Sequence, residues 1–137
     1  MDRAMIEQKL ESLRRCVARV ATKCPAEVET LASDVDLQDI VVLNLTRAVQ
    51  LCVDLGAHLI VETDLPAPET MGQTFDLLNQ AGFLERDLAE RMKRAVGFRN
   101  LAVHQYQAID WAIVHAICVC HLQDFRNFAQ AVAARHL

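Results

Sequence analysis

Glycine occurs four times and proline three times in 137 residues. So few turn-formers exclude a many-stranded sandwich or barrel, which needs a turn every ten residues or so. Serine is scarcer still: Ser12 and Ser33 are the only two, and neither has the nucleophile-elbow context of a serine hydrolase. The five cysteines include no Cys-x-x-Cys pair, which excludes a zinc knuckle and a thioredoxin-type centre. An odd number of thiols at apolar positions fits small core hydrophobes in a reducing compartment. The opening stretch MDRAMIEQKLESLRRC lacks the apolar run of a signal peptide. No uninterrupted apolar run approaches the roughly 18 residues of a membrane span. A cytoplasmic chain with no membrane partner is therefore expected. Positive charge is also in deficit: 14 Lys and Arg stand against 18 Asp and Glu, a net −4, so the molecule is no general polyanion binder.

What is present points to helices. Apolar residues make up 53% of the chain and charged residues 23%, too rich and too weakly charged for disorder. The length predicts one domain over 1–137. Ile6, Leu10, Leu13, Val17, Val20 and Cys24 recur at steps of four and three, a single apolar stripe ended by Pro25. Residues 26–35 read as a connector with at most one short turn. A second helix is expected from Asp36, where Asp39 three residues on offers a capping-box signal, to about Glu62. Val41, Leu45, Ala48, Cys52, Leu55 and Leu59 fall on one of its faces, and Val42, Val49, Val53 and Ile60 widen it, so this helix should be central. A Pro-containing loop, a short helix capped by Gly82, a helix from Glu85 and a last helix capped by Asp110 follow. The inner side of the last helix should carry Trp111, Val114, Ile117, Cys118, His121, Phe125, Phe128 and Val132. The sum is an all-α, up-and-down bundle of four to five helices.

Two groups of polar residues do not suit a plain bundle. Asn44, Arg47, Asp54 and His58 lie within about 80° of arc on the central, otherwise apolar helix. Asp54 and His58 stand four apart, the spacing at which a carboxylate orients an imidazole. The stripe is either an internal hydrogen-bonded network or the wall of a functional cleft.

The second group is GFRNLAVHQYQAID, residues 97–110. Gly97 should loosen the helix ahead of Arg99, and the only tyrosine of the chain, Tyr106, stands two residues after His104. Between Arg86 and His104 the bases Arg86, Arg91, Lys93, Arg94 and Arg99 face only Asp87 and Glu90, a local excess of positive charge in an acidic chain. Such a strip binds phosphate locally.

An arginine and a histidine in one cleft suit cleavage of RNA without a metal. A neutral imidazole takes the ribose 2′-OH proton and an imidazolium returns one. A guanidinium holds the charge that gathers on the phosphorane-like transition state. Asn100 adds an amide for a phosphate oxygen or for His104. The phenol of Tyr106 can stack on a base, donate to phosphate or accept a modifying group. On an unbroken helix Arg99 and His104 stand about 140° apart. Two arrangements bring them together: the helix ends near His104, or a second copy of the chain completes the groove. A metal reading of His115, Cys118, Cys120 and His121 fails on convergence, because Cys120 points away from the other three. No metal and no cofactor is expected.

These residues resemble a known family. GFRNLAVHQYQAID, with Arg99-x4-His104-x-Tyr106, is similar to the signature of the HEPN superfamily and of its HepT branch; NLTRAVQLCVDLGAHLI and AIDWAIVHAI resemble that branch's second and last helices. The resemblance implies a HEPN-like toxin that dimerises through this segment and cuts RNA without a metal. It implies an MNT-type nucleotidyltransferase antitoxin as partner, neutralising the toxin by adding AMP to tyrosine. Carried over, Arg99 and His104 are the catalytic pair, Asn100 fills the polar position after the arginine, and Tyr106 is the AMP acceptor. Asp54 or Arg47 supplies the polar residue that some members use on the second helix. The competing reading is a non-catalytic helical dimer that grips a nucleotidyltransferase or binds a nucleotide with the same cluster.

Overall fold

The computed structural model describes residues 2–136. Helix α1 spans Arg3–Lys23 and starts on Asp2, whose side chain accepts from the Ala4 amide. It stops at Cys24, whose extended backbone (φ −67°, ψ 122°) is what a following proline imposes. The expected connector contains a six-residue helix, α2 (Val28–Ser33).

Helix α3 spans Val35–Val61. Its cap is Asp34, whose side chain accepts from the Leu37 amide, so the expected capping box of Asp36 and Asp39 is not used. Two residues earlier than expected, Asp34 satisfies the amide of the third helical residue, and Asp39 on the helix surface takes no part in capping. Helix α3 has the length and hydropathy of a membrane span, 1.5 over its best window. Here it is the core helix, with Val41, Leu45, Cys52 and Leu55 at 1% exposure or less beneath α1 and the helices that follow.

Helix α4 (Met71–Gln80) is capped by Thr70, and Gly82 takes φ +84°, the left-handed turn that glycine adopts without strain. Its closest approach to α3 is at Gly56, where an added Cβ would stand 2.7 Å from the Thr74 methyl and 3.0 Å from Leu78 Cδ1. Helix α5 (Arg86–His104) runs through Gly97 without a break, so the expected loosening is absent; nothing crowds that glycine and the backbone ladder passes it intact.

A single 3-10 turn, Tyr106–Ala108, leads to α6 (Trp111–Ala116), capped by Asp110. A π-helical stretch, Ile117–His121, joins α6 to α7 (Leu122–His136) as one rod. The wider π turn shifts the phase of the rod. Leu122 therefore enters the core while His121, expected inside, is exposed. Phe128 of α7 meets Phe75 of α4 edge to face at 5.8 Å, both fully buried. Among the described residues there is no strand. The architecture is the expected all-α bundle, with α3 at its centre.

Candidate functional site

The end of α5 is where the sequence-predicted residues gather. The helix runs through His104 and stops there, so Arg99 and His104 keep the helical offset of about 140°, and Gln105 closes the helix by donating its amide to Leu101. His104 is exposed and has no hydrogen bond or ion pair among the described residues. Arg99, about one and a half turns earlier, is half-buried. Its Nη1 donates to Asn100 Oδ1 at 3.1 Å, and no carboxylate lies within ion-pair distance of it among the described residues. The amide thus holds the guanidinium without cancelling its charge. His104 is open to solvent and Arg99 partly so.

Tyr106 sits on the 3-10 turn that follows. Its hydroxyl donates to Asp39 Oδ1 at 2.8 Å, and its ring packs against Trp111 at 6.1 Å, nearly edge-on. Burial, the Asp39 hydrogen bond and the Asp39 charge together push the phenol up to about 12. Asp39 is the partner of Tyr106 that sequence reasoning missed. The available signal was an acidic residue surplus to capping, but its partner lies 67 positions away.

The positive strip is weaker in space than in sequence. Arg91 pairs with Asp124 at 2.9 Å and Lys93 with Asp76 at 3.0 Å, carboxylates from α7 and α4. Arg86, Arg94 and Arg99 keep their charge unpaired among the described residues, spread around α5 at about 0°, 80° and 220° of helical arc.

The polar stripe of α3 divides. Asp54 does not orient His58; it accepts from Gln50 at 3.0 Å and faces Lys9 of α1 at 3.6 Å. The lysine wins because it brings a full charge from a packed helix, whereas His58 is exposed near the helix end. Asn44 donates back to its own helix, to the Ile40 carbonyl at 2.8 Å. Arg47 is exposed and lines a groove between α1 and α3. The stripe is thus neither a closed network nor part of the α5 end.

The four His and Cys residues of the last helix diverge. His115 Nε2 meets the Pro25 carbonyl at 2.9 Å, and His121 faces Asp124 at 3.5 Å. Cys118 is buried and Cys120 is exposed.

Beside the α5 end lies an apolar groove of about 440 Å³, walled by Leu45, Phe98, Leu101, Ile113 and Ile117 and crossed by Gly97. Ile113 and Val119 stand 57% and 64% exposed nearby, large apolar side chains that a lone globule normally hides.

An all-helical bundle with Arg, His and Tyr at one open helix end is the architecture of the HEPN class. The chain belongs to the ribonuclease HepT-like family, whose profile matches residues 6–132. It is 32% identical over 130 residues to the mRNA nuclease HepT of Shewanella oneidensis, covering 95% of this chain and 97% of that protein. It superposes with a TM-score of 0.90 on a tri-AMPylated Shewanella oneidensis HEPN toxin solved in complex with an MNT antitoxin, at 32% identity over 98% of this chain and 99% of that one. The fold alone is shared with the cytosolic protein YutE of Bacillus subtilis, at a TM-score of 0.83 and 16% identity over 98% of this chain and 90% of that one.

Proposed function

We propose that this chain is the toxin of a toxin–antitoxin pair: an endoribonuclease that needs no metal, neutralised by an MNT-type nucleotidyltransferase that adds AMP to Tyr106. The observation that carries the reading is the end of α5 at His104, which leaves the imidazole exposed five residues from an arginine held by an amide rather than a carboxylate. The likeness to an mRNA nuclease and to a HEPN toxin bound to its antitoxin, each over nearly the whole chain, supports it.

In this reading His104 removes the proton of a ribose 2′-OH, and the 2′-oxygen attacks the adjacent phosphorus. Arg99 holds the two non-bridging oxygens as charge builds on them, with Asn100 fixing the guanidinium. The P–O5′ bond breaks and the imidazolium returns a proton to the departing 5′-oxygen, leaving a 2′,3′-cyclic phosphate and a 5′-OH. Every proton and electron pair is accounted for by these groups, RNA and solvent.

Two copies of the chain pair across the apolar groove. A second copy covers Phe98, Leu101 and Ile113 and brings a second Arg99 and His104 alongside the first. Asp54 is tied to Lys9 and supports α1 on α3 rather than the chemistry. His58 has no role in this reading. The protein acts in the cytoplasm, where the RNA and the antitoxin are.

AMP on Tyr106 adds a phosphodiester charge and a purine two residues from His104, excluding RNA by bulk and like charge. The non-catalytic module reading loses its ground, because the nuclease relative spans the whole chain rather than a docking segment.

The test is cleavage of RNA by the purified chain in excess chelator, with the product ends mapped. A 2′,3′-cyclic phosphate supports the reading. Cleavage that disappears with the chelator and returns with a divalent ion overturns it. Incubation with the antitoxin and ATP should then add AMP-sized mass increments to Tyr106 and stop cleavage.

A further inference from the structure

Between α1 and α3 runs a groove of about 540 Å³ lined by Ser12, Arg15, Cys16, Arg19, Asn44, Arg47, Gln50, Leu51 and Asp54. Its three arginines are exposed, and none has a carboxylate within ion-pair distance among the described residues. On the same two helices Arg3 pairs with Glu7, Arg14 with Glu11 and Lys9 with the groove's own Asp54, while Lys23 has no such partner among the described residues. In a chain of net charge −4, three unmatched guanidinium groups facing one groove are a built cationic site rather than a solvated surface. The one carboxylate at the rim, Asp54, is already held by Lys9 and Gln50. Burial pushes the Cys16 thiol up while the Arg47 and Arg15 charges act against it, so both guanidinium groups bear on the same point of the groove floor.

The groove also has an address. Lys9 facing Asp54, and Cys16 beside Arg47, make α1 and α3 antiparallel, and continuing that register puts Arg19 level with Asn44. That end is the nearer to Asp39, which holds Tyr106. Along the α3 axis, Asn44 lies about 7.5 Å and Arg47 about 12 Å from Asp39, turned from it by about 140° and 80° around the helix. A few nucleotides of extended chain cover that span.

We propose that this groove is a backbone subsite for the single-stranded RNA flanking the cleaved bond, with Arg15, Arg19 and Arg47 each receiving a phosphate. Arginine is the residue for this task, its planar fork matching two phosphate oxygens. The half-buried Leu51 and the Gln50 amide give the ribose and base an apolar and a polar edge without demanding one sequence. An acidic protein segment is the competing occupant; three cations within about 6 Å of axial rise, with no large apolar anchor among them, favour a polyphosphate chain. The proposal rests on the nuclease reading.

The test measures binding of an uncleavable 2′-O-methyl RNA as a function of salt, comparing the full-length wild type with the triple variant Arg15→Ala, Arg19→Ala, Arg47→Ala. Loss of three phosphate contacts should shrink the slope of log K against log salt by about 2, at about 0.7 per phosphate on a single strand. Cleavage of a long RNA should fall roughly 10- to 100-fold through KM, about a tenfold loss for each 1.4 kcal/mol of binding removed. A dinucleotide, too short to reach the groove, should show the same salt slope with the wild type and the triple variant. The corresponding triple lysine variant, which keeps the charge, should retain most of the slope and also controls for misfolding. An unchanged slope and affinity overturn the proposal. So does a triple variant that loses the antitoxin while binding RNA as before, which assigns the groove to an acidic face of that partner. If the wild type binds RNA with the full slope, loses it in the triple variant and yet cuts nothing, the groove stands and the nuclease reading falls.

Discussion

The hydroxyl of Tyr106 donates a 2.8 Å hydrogen bond to Asp39, tying the turn after α5 to the first turns of α3. In the proposed neutralisation the antitoxin must reach this phenol, which the bond holds in place, while burial first and then the bond and charge of Asp39 raise its pKa to about 12. Its proton must therefore pass to a base as the tyrosine oxygen attacks an activated phosphate, and Asp39 is the carboxylate in contact with it.

Replacing Asp39 with asparagine should lower the titration midpoint of Tyr106 from about 12 toward its ordinary value near 10. Burial remains after the substitution, so the midpoint should settle between the two. Because this is the only tyrosine in the chain, tyrosinate absorbance reads the site alone. The sign for stability follows: with the folded value raised, the contribution of this group is complete below pH 10 and is lost as pH climbs through about 12. Asp39→Asn should flatten that alkaline loss, measured as thermal midpoint against pH.

Tyr106→Phe should remove the AMP-sized mass increments given by antitoxin and ATP while leaving the fold unchanged. The variant keeps the ring contact with Trp111 and loses only the Asp39 bond, a cost of about 1 kcal/mol. RNA cleavage should persist and should no longer be silenced by incubation with the antitoxin and ATP. Mass spectrometry of the intact chain, followed by a cleavage assay, separates these outcomes.

The two mid-helix glycines should respond in opposite directions. At Gly97, alanine meets nothing within 4 Å and should stabilise the protein by about 0.5–1 kcal/mol through helix propensity. At Gly56, the same gain is outweighed by the clash with Thr74 and Leu78, where overpacking costs about 1–3 kcal/mol. Gly56→Ala should therefore destabilise by about 1 kcal/mol, as urea denaturation midpoints at constant slope will show.

Helix existence was legible because each core helix repeats apolar residues at three and four, and because Asp110 and Gly82 punctuate the chain. The candidate group Arg99, His104 and Tyr106 could be picked out because it lies in one short stretch, the end of α5 and the turn after it. What stayed hidden was every feature decided by a distant segment. Asp39 looked like a cap until Asp34 took that place and left it for Tyr106. Asp54 looked like the partner of His58 until α1 brought Lys9 beside it. The strip on α5 looked continuous because Asp76 and Asp124 are not its sequence neighbours. The π stretch sits in ICVCH, where an apolar run gives no sign of a phase change, and so His121 was placed on the wrong side.

Thiol reactivity should rank by the same packing. Cys120 is exposed and should label first in the native protein. Burial pushes Cys52 and Cys118 well above the ordinary thiol range, and the neighbouring Cys24 pushes Cys118 further. Both should label only on unfolding, counted by mass after an alkylation time course.

Pairing of two copies across the apolar groove should fail in Ile113→Lys, which puts an ammonium at a 57% exposed apolar position. Light scattering should report a monomer, and cleavage should fall together with the dimer if the second copy completes the groove.

The most direct measurement is RNA cleavage by Arg99→Ala and His104→Ala, each purified without metal and checked for antitoxin binding. Loss of the proton carrier or of the charge holder should cost about 10²- to 10⁴-fold in rate while the partner still binds. Cleavage at the wild-type rate by either variant would place the chemistry elsewhere and contradict the account.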